Sequence, residues 1–151
     1  MYEWSLDLME SAGYEHYEIS NWSLPGRRSN HNMIYWQNGE YIGIGAAAAS
    51  HLGGKRWKNT GDIEEYVRLI SSGLNPACET EVIDESKRLS EEIILKLRCL
   101  PGICLTKEVE DKYGKAIEEL IGKELLEICG RNLRLTRRGL LLANIVMKEF
   151  V

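Results

Sequence analysis

Residues 31–50 read HNMIYWQNGEYIGIGAAAAS, and the fold turns on how this stretch is read. Tyr41, Ile42 and Ile44 are strand formers separated by Gly43 and Gly45, and Ala46, Ala47, Ala48, Ala49 and Ser50 follow. A glycine inside a strand pattern marks a bend, or a place where another backbone or a ligand comes close. Ile-Gly-Ile-Gly puts side chains on one face and none on the other, so the bare face can lie against something flat. The alanines add no side-chain entropy cost. Two readings stay open: a buried strand packed tightly under a helix, or the wall of a ligand site. A dinucleotide-binding loop is excluded. The Gly43-x-Gly45 pair has no third glycine at the required offset and no acidic residue at the required distance.

The polar half of the stretch offers a ring nitrogen, an amide and two large aromatic faces within six residues: His31, Asn32, Tyr35 and Trp36. A neutral histidine can ligate a metal or haem iron; more often a lone histidine is simply hydrogen-bonded. Asn32 can present donor and acceptor together, as recognition of adenine or a carboxylate requires.

The bulk numbers frame this. A chain of 151 residues suits one domain or two small ones. Its 44% hydrophobic and 28% charged content is that of a soluble globular protein. A net charge of −4 argues against broad affinity for nucleic acid or anionic membranes. The charge is uneven: residues 1–84 carry 6 basic and 12 acidic side chains, residues 85–151 carry 13 and 11. That shift predicts a boundary near Asp84. Cys78, Cys99, Cys104 and Cys129 are scattered, with no C-x-x-C pair and no zinc or iron–sulfur ligand spacing. Free thiols without a signal peptide predict a cytoplasmic protein. The longest apolar runs, Ile42–Ala49 and Leu140–Val146, are too short to span a bilayer.

Along the chain, Met1–Ala12 reads as a helix closed by Gly13, and Tyr14–Ser20 as a strand in which Tyr17 and Ile19 alternate with polar residues. Pro25-Gly26 forces a turn, and Arg27-Arg28 makes a small basic patch. Helix, strand, loop, strand, helix is α/β grammar, in which sites form at the carboxyl ends of strands. Glu18-Ile-Ser-Asn21 and the Ala46–Ser50 run fall at such ends. His51–Thr60 reads as a glycine-rich, basic loop. Gly61–Ser72 reads as a helix with Ile63, Tyr66, Val67 and Ile70 on its apolar face, and Asn75–Asp84 as a linker.

Beyond Asp84 the pattern changes. Ser86–Cys99 is helical, Pro101-Gly102 breaks it, and Thr106 caps a second helix that Gly114 separates from a third, Ala116–Leu126. Leu125–Cys129 and Leu133–Thr136 flank Gly130-Arg131-Asn132 as a hairpin, and Arg137–Phe150 closes as a helix. This order is winged-helix-like. The helix before the hairpin, the recognition helix of such a unit, carries Glu118, Glu119 and Glu124 against Lys115 and Lys123. Phosphate contact needs clustered Lys and Arg, so no nucleic-acid partner is expected. Arg131, Arg134, Arg137 and Arg138 at the wing are the basic cluster, read as a solvated tip on a domain for packing and protein contact.

The ordered series Gly13-Tyr14, Tyr17-Glu18-x-Ser20-Asn21-Trp22, Pro25-Gly26, Ser29-x-His31-Asn32-x-x-Tyr35-Trp36, Tyr41-Ile-Gly43-Ile-Gly45 and Ala48-x-Ser50 resembles the C-terminal part of the HemW-type family. These are radical S-adenosylmethionine (SAM) proteins related to oxygen-independent coproporphyrinogen III oxidase, HemN. The likeness continues through Leu52-Gly53-Gly54, Arg56, Asn59-Thr60, Glu64, Glu65 and Tyr66 into the segment after Asp84. It implies an α/β fold: the terminal part of a radical SAM barrel over residues 1–75, a linker over 76–84, and a winged-helix-like, mostly α domain over 85–151. The family's C-x-x-x-C-x-x-C ligands of a [4Fe–4S] cluster do not occur here, so the resemblance implies no catalytic residue in this chain and no SAM cleavage by it alone. It implies a haem-binding role for H-N-x-x-Y-W, with His31 as axial ligand and Tyr35 and Trp36 lining the pocket. Asn32, Ala48 and Ala49 fall on the SAM side. Ala47 stands where the family has glycine, and Ala49 where its chaperone branch often has histidine. The expected partners are haem or porphyrin and the barrel half outside this chain, or another copy of the chain, since partial barrels expose strand edges. No cofactor is expected to be held tightly by these residues alone. The alternative is a winged-helix DNA-binding or protein-interaction module without an enzymatic role.

Overall fold

The computed structural model describes the backbone of residues 1–151 and the side chains of all of them but Glu85 and Ser86. In chain order, α1 (Tyr2–Ser11) leads to the hairpin β1 (Glu15–Glu18) and β2 (Asn21–Ser23), then α2 (Asn30–Trp36). There follow β3 (Ala49–Leu52), β4 (Lys55–Asn59), α3 (Ile63–Ser71) and β5 (Ala77–Val82). Next come α4 (Glu85–Leu97), β6 (Ile103–Cys104) and α5 (Lys107–Gly122). The chain closes with the hairpin β7 (Leu126–Cys129) and β8 (Asn132–Leu135), then α6 (Arg137–Leu141) and α7 (Ala143–Lys148). Contacts divide it into two units, Met1–Asn38 with Leu89–Val151, and Gly39–Arg88. That division departs from the boundaries expected near residues 75 and 85.

In the first unit the core gathers Ile93, Leu97, Leu133, Val146 and Phe150, all fully buried, with Val109, Ile117, Leu120 and Leu126. Val109, Ile117 and Leu120 form one stripe on α5. That stripe is why the helix runs unbroken through Gly114, where a break was expected: an interior glycine costs about 1 kcal/mol, less than the burial of one such side chain. Thr106 caps this helix by accepting from the Val109 N–H at 3.4 Å. The sheet order is β6-β8-β7, all antiparallel. Arg137–Phe150, expected as one helix, is divided at Leu142 into α6 and α7. The β1–β2 hairpin joins this core through Ile19 N–H to Arg98 C=O at 2.9 Å and Leu100 N–H to Tyr17 C=O at 3.2 Å.

The second unit is an antiparallel meander, β3-β4-β5, with α3 between its last two strands in sequence. Three expectations are corrected here. His51–Thr60 is not a loop: Gly53-Gly54, both at positive φ (58° and 70°), make the tight turn of the β3–β4 hairpin. Residues 75–84 are not a linker, because Ala77–Val82 pairs along β4. Tyr41–Gly45 is not a strand; only Tyr41 bridges to His51. Asp62 caps α3, accepting from the Glu65 N–H at 2.9 Å. The apolar face of this helix looks outward, with Ile63, Val67 and Ile70 at 72%, 55% and 50% exposure.

The result is a mixed α/β chain. Every strand ladder among the described residues is antiparallel, whereas barrel strands lie parallel.

Candidate functional site

The site begins with a capped turn. Ser29 accepts from the Asn32 N–H at 3.3 Å and starts α2, and its own N–H donates to the Tyr17 hydroxyl at 3.4 Å. The helix has seven residues and ends before Asn38, which takes a left-handed conformation (φ 54°) that asparagine tolerates. Spacing of i, i+4 stacks His31 over Tyr35 on one face. Their rings meet edge-on, 4.9 Å apart at 87°. His31 is exposed, and no hydrogen bond engages its imidazole among the described residues. Trp36 is half-buried; its Nε1 is shielded from solvent without a hydrogen-bond partner among the described residues, and the Arg98 guanidinium lies 4.5 Å over its ring. The structure thus brings His31 to Tyr35 and Trp36 to Arg98. Asn32 is half-buried beside them.

Behind α2 the β1–β2 hairpin holds a carboxylate. Glu18 is 0% exposed; Asn21 Nδ2 donates to its Oε1, and its Oε2 has no partner among the described residues. On the hairpin, His16 stacks on Trp22 at 4.5 Å, and Tyr2 lies against both. Burial pushes the His16 imidazole below the usual histidine range, against hydrogen bonds from the backbone that act the other way. Burial first, then the charge of Glu18, pushes the Tyr2 hydroxyl and the Cys99 thiol up. A raised thiol has little thiolate.

The small-residue run makes its close approach to its own chain. A Cβ on Gly43 would stand 2.2 Å from the Ala49 carbonyl oxygen. Three side chains hold this loop. Ser50 Oγ accepts from the Gly43 N–H at 3.0 Å, the Tyr66 hydroxyl from the Gly45 N–H at 3.1 Å, and Asn59 Nδ2 donates to the Gly45 carbonyl at 2.9 Å. Sequence reading gave these three no task. Ala47 sits at φ 59°, in the region glycine favours. Ala48 is half-buried and Ala49 exposed at the start of β3. Both belong to the unit of residues 39–88, Asn32 to the other.

The donor sets fit the implied groups unequally. One exposed imidazole edge-on to a tyrosine ring suits haem iron. The cysteines do not suit a cluster: Cys78, Cys104 and Cys129 are exposed, Cys99 is buried, and the described residues form no group of three His, Cys, Asp or Glu able to hold a metal. On and just after the β7–β8 hairpin, Arg134 pairs with Glu127 (2.8 Å), Arg137 with Asp7 (2.6 Å) and Arg138 with Glu124 (3.4 Å). Those carboxylates engage three of the four arginines that phosphate contact would need.

Known proteins match this arrangement. Residues 83–142 match the HemN C-terminal domain. The haem chaperone HemW of Lactococcus lactis is 37% identical over the whole of this chain and 41% of the relative. That of Bacillus subtilis is 34% identical over the whole chain and 42% of the relative. The chain therefore spans about two fifths of the length of these curated relatives. The solved structure of Escherichia coli coproporphyrinogen III oxidase (HemN), a radical SAM enzyme, superposes with a TM-score of 0.75 at 14% identity, over 98% of this chain and 39% of that one. At that identity the likeness is one of fold. Fold and sequence together define a mixed α/β chain of the HemN-related class. Within that class the chain is similar over its whole length to HemW haem chaperones, and residues 83–142 match the HemN C-terminal domain. No helix among the described residues is long and apolar enough to cross a membrane.

Proposed function

We propose that this chain supplies the haem-facing part of a HemW-type haem chaperone. His31 would ligate the haem iron, and Tyr35 and Trp36 would line the pocket. The observation that carries this reading is the exposed His31 imidazole, held edge-on to Tyr35 by helical spacing and engaged by no hydrogen bond among the described residues. Haem supplies an iron that accepts a neutral imidazole nitrogen. The chain's own residues do the rest. Ser29 and Tyr17 fix where α2 starts, so the imidazole is aimed rather than free to wander. Tyr35 limits the rotation of the ring, and Trp36 offers a flat apolar face.

In this reading the [4Fe–4S] cluster and SAM are carried by a radical SAM domain outside these residues, as the coverage of the longer relatives supports. By the resemblance, Asn32 in one unit and, separately, Ala48 and Ala49 in the other are each assigned to the SAM side. Residues 1–75 would close that domain's barrel, and residues 85–151 would act as a winged-helix-like docking domain. The partner is that domain or a second copy of this chain, and the outward Ile63, Val67 and Ile70 of α3 support such docking. The setting is the cytoplasm. A DNA-binding module is disfavoured by the paired arginines of the wing.

Titration with ferric haem tests the proposal. The wild-type chain is expected to shift the Soret band of haem, and His31→Ala to abolish that shift while leaving the circular dichroism unchanged. An identical Soret spectrum in the two proteins would overturn the ligand assignment.

A further inference from the structure

We infer that Arg98 is the carboxylate clamp of the α2 site, its guanidinium taking a propionate of the porphyrin that His31 ligates. The inference rests on the haem reading above and adds to it a residue that no motif contains.

Arg98 follows the last residue of α4, and its backbone is fixed, because its carbonyl accepts from the Ile19 N–H at 2.9 Å. The side chain then lies over Trp36 at 4.5 Å. Its Nε is shut off from solvent, yet no acceptor reaches it among the described residues. A buried donor N–H left without an acceptor costs free energy even though the rest of this half-buried side chain reaches solvent. Four other arginines of this unit are ion-paired: Arg28 with Glu15, Arg134 with Glu127, Arg137 with Asp7 and Arg138 with Glu124. No carboxylate is ion-paired with Arg98 among the described residues. The unmet donor calls for an acceptor from outside.

The surroundings say what kind. Arg98 also lines a cavity of about 270 Å³ whose other walls include Ile19, Leu140, Leu142 and Ile145, with Ser20 and Asn144 as polar neighbours. Walls that are part apolar and part polar around one guanidinium suit an amphipathic carboxylate, and the planar fork of arginine pairs with both carboxylate oxygens at once. A porphyrin presents that chemistry: a flat apolar disc bearing propionates. Trp36 is common to both halves of the site. It belongs with the His31–Tyr35 face of α2, and it carries the guanidinium on its ring. A disc resting on the aromatic residues of α2 would bring its carboxylate edge to Arg98.

The test compares haem with haem dimethyl ester, whose propionates are capped, by Soret titration of the full chain. Wild type is expected to bind haem at least tenfold more tightly than the ester. Arg98→Gln is expected to bring the two within twofold of each other, with the Soret maximum of bound haem unmoved because His31 still ligates the iron. Arg98→Lys should restore part of the preference. A wild type that binds haem and its ester equally overturns the clamp without any variant, so a misfolded Arg98→Gln does not spoil the test. An Arg98→Gln protein that keeps the tenfold preference overturns it too. If wild type gives no His31-dependent Soret shift, the haem reading falls and the clamp with it; a His31-dependent shift without discrimination removes the clamp alone.

Discussion

Ala47 holds its backbone at φ 59°, where a Cβ presses on the following carbonyl at a cost of roughly 1–2 kcal/mol. Replacing it with glycine removes the clash but frees the unfolded chain. Ala47→Gly is therefore expected to stabilise the protein by about 0.5–1 kcal/mol in urea unfolding. Gly43→Ala should act in the opposite sense, by about 1–3 kcal/mol, because its methyl would meet the Ala49 carbonyl, which is backbone and cannot swing aside. His16 makes a pH prediction. Its folded state favours the neutral ring, so its stabilising contribution is complete above the ordinary histidine pKa of about 6.5 and is lost as pH falls below that value. The stability of His16→Gln is expected to depend less on pH than wild type between pH 7 and pH 5, read from denaturation midpoints. At this scale His31, Asn32, Tyr35 and Trp36 were legible as a polar and aromatic group, but the His31–Tyr35 pairing was not, because the sequence was not read as a helix over Asn30–Trp36. Arg98 was not: its contact with Trp36 joins two segments far apart in sequence, and no local pattern encodes it.

Elements with local signals were readable, and those that depend on partners were not. Thr106, Asp62 and Gly13 mark helix ends by their own chemistry, and each helix end lies there. β5 gave no such signal, because five of its six residues are exposed and it has no buried face to leave an alternating pattern; it exists because β4 offers it a ladder. Tyr41–Ile44 has strand-forming residues but lacks a ladder partner, and the polar groups of Gly43 and Gly45 are taken by Ser50, Asn59 and Tyr66 instead. The same reasoning applies to α3. Its hydrophobic periodicity was read correctly as a face, yet that face meets solvent. A charge placed there should disturb little: Val67→Lys is expected to change stability by no more than about 0.5 kcal/mol while reducing self-association in sedimentation velocity. A loss of several kcal/mol would mean the face is packed.

Among the described residues no group of three His, Cys, Asp or Glu could hold a metal. Anaerobic reconstitution with iron and sulfide is expected to leave the chain without stoichiometric iron or the broad visible absorption of an iron–sulfur centre, as metal analysis would check. The way the molecule divides was not visible in the sequence, since a charge shift marks composition and not contact. The first unit is assembled from the two ends of the chain, Met1–Asn38 and Leu89–Val151, around an intervening segment. On the ribosome this imposes a schedule. The opening hairpin, with its carboxylate at Glu18, stays unmatched until the residues that bind it, Arg98 to Leu100, leave the exit tunnel. The meander of residues 49–82 meets no such delay, since its ladders pair strands that lie within it.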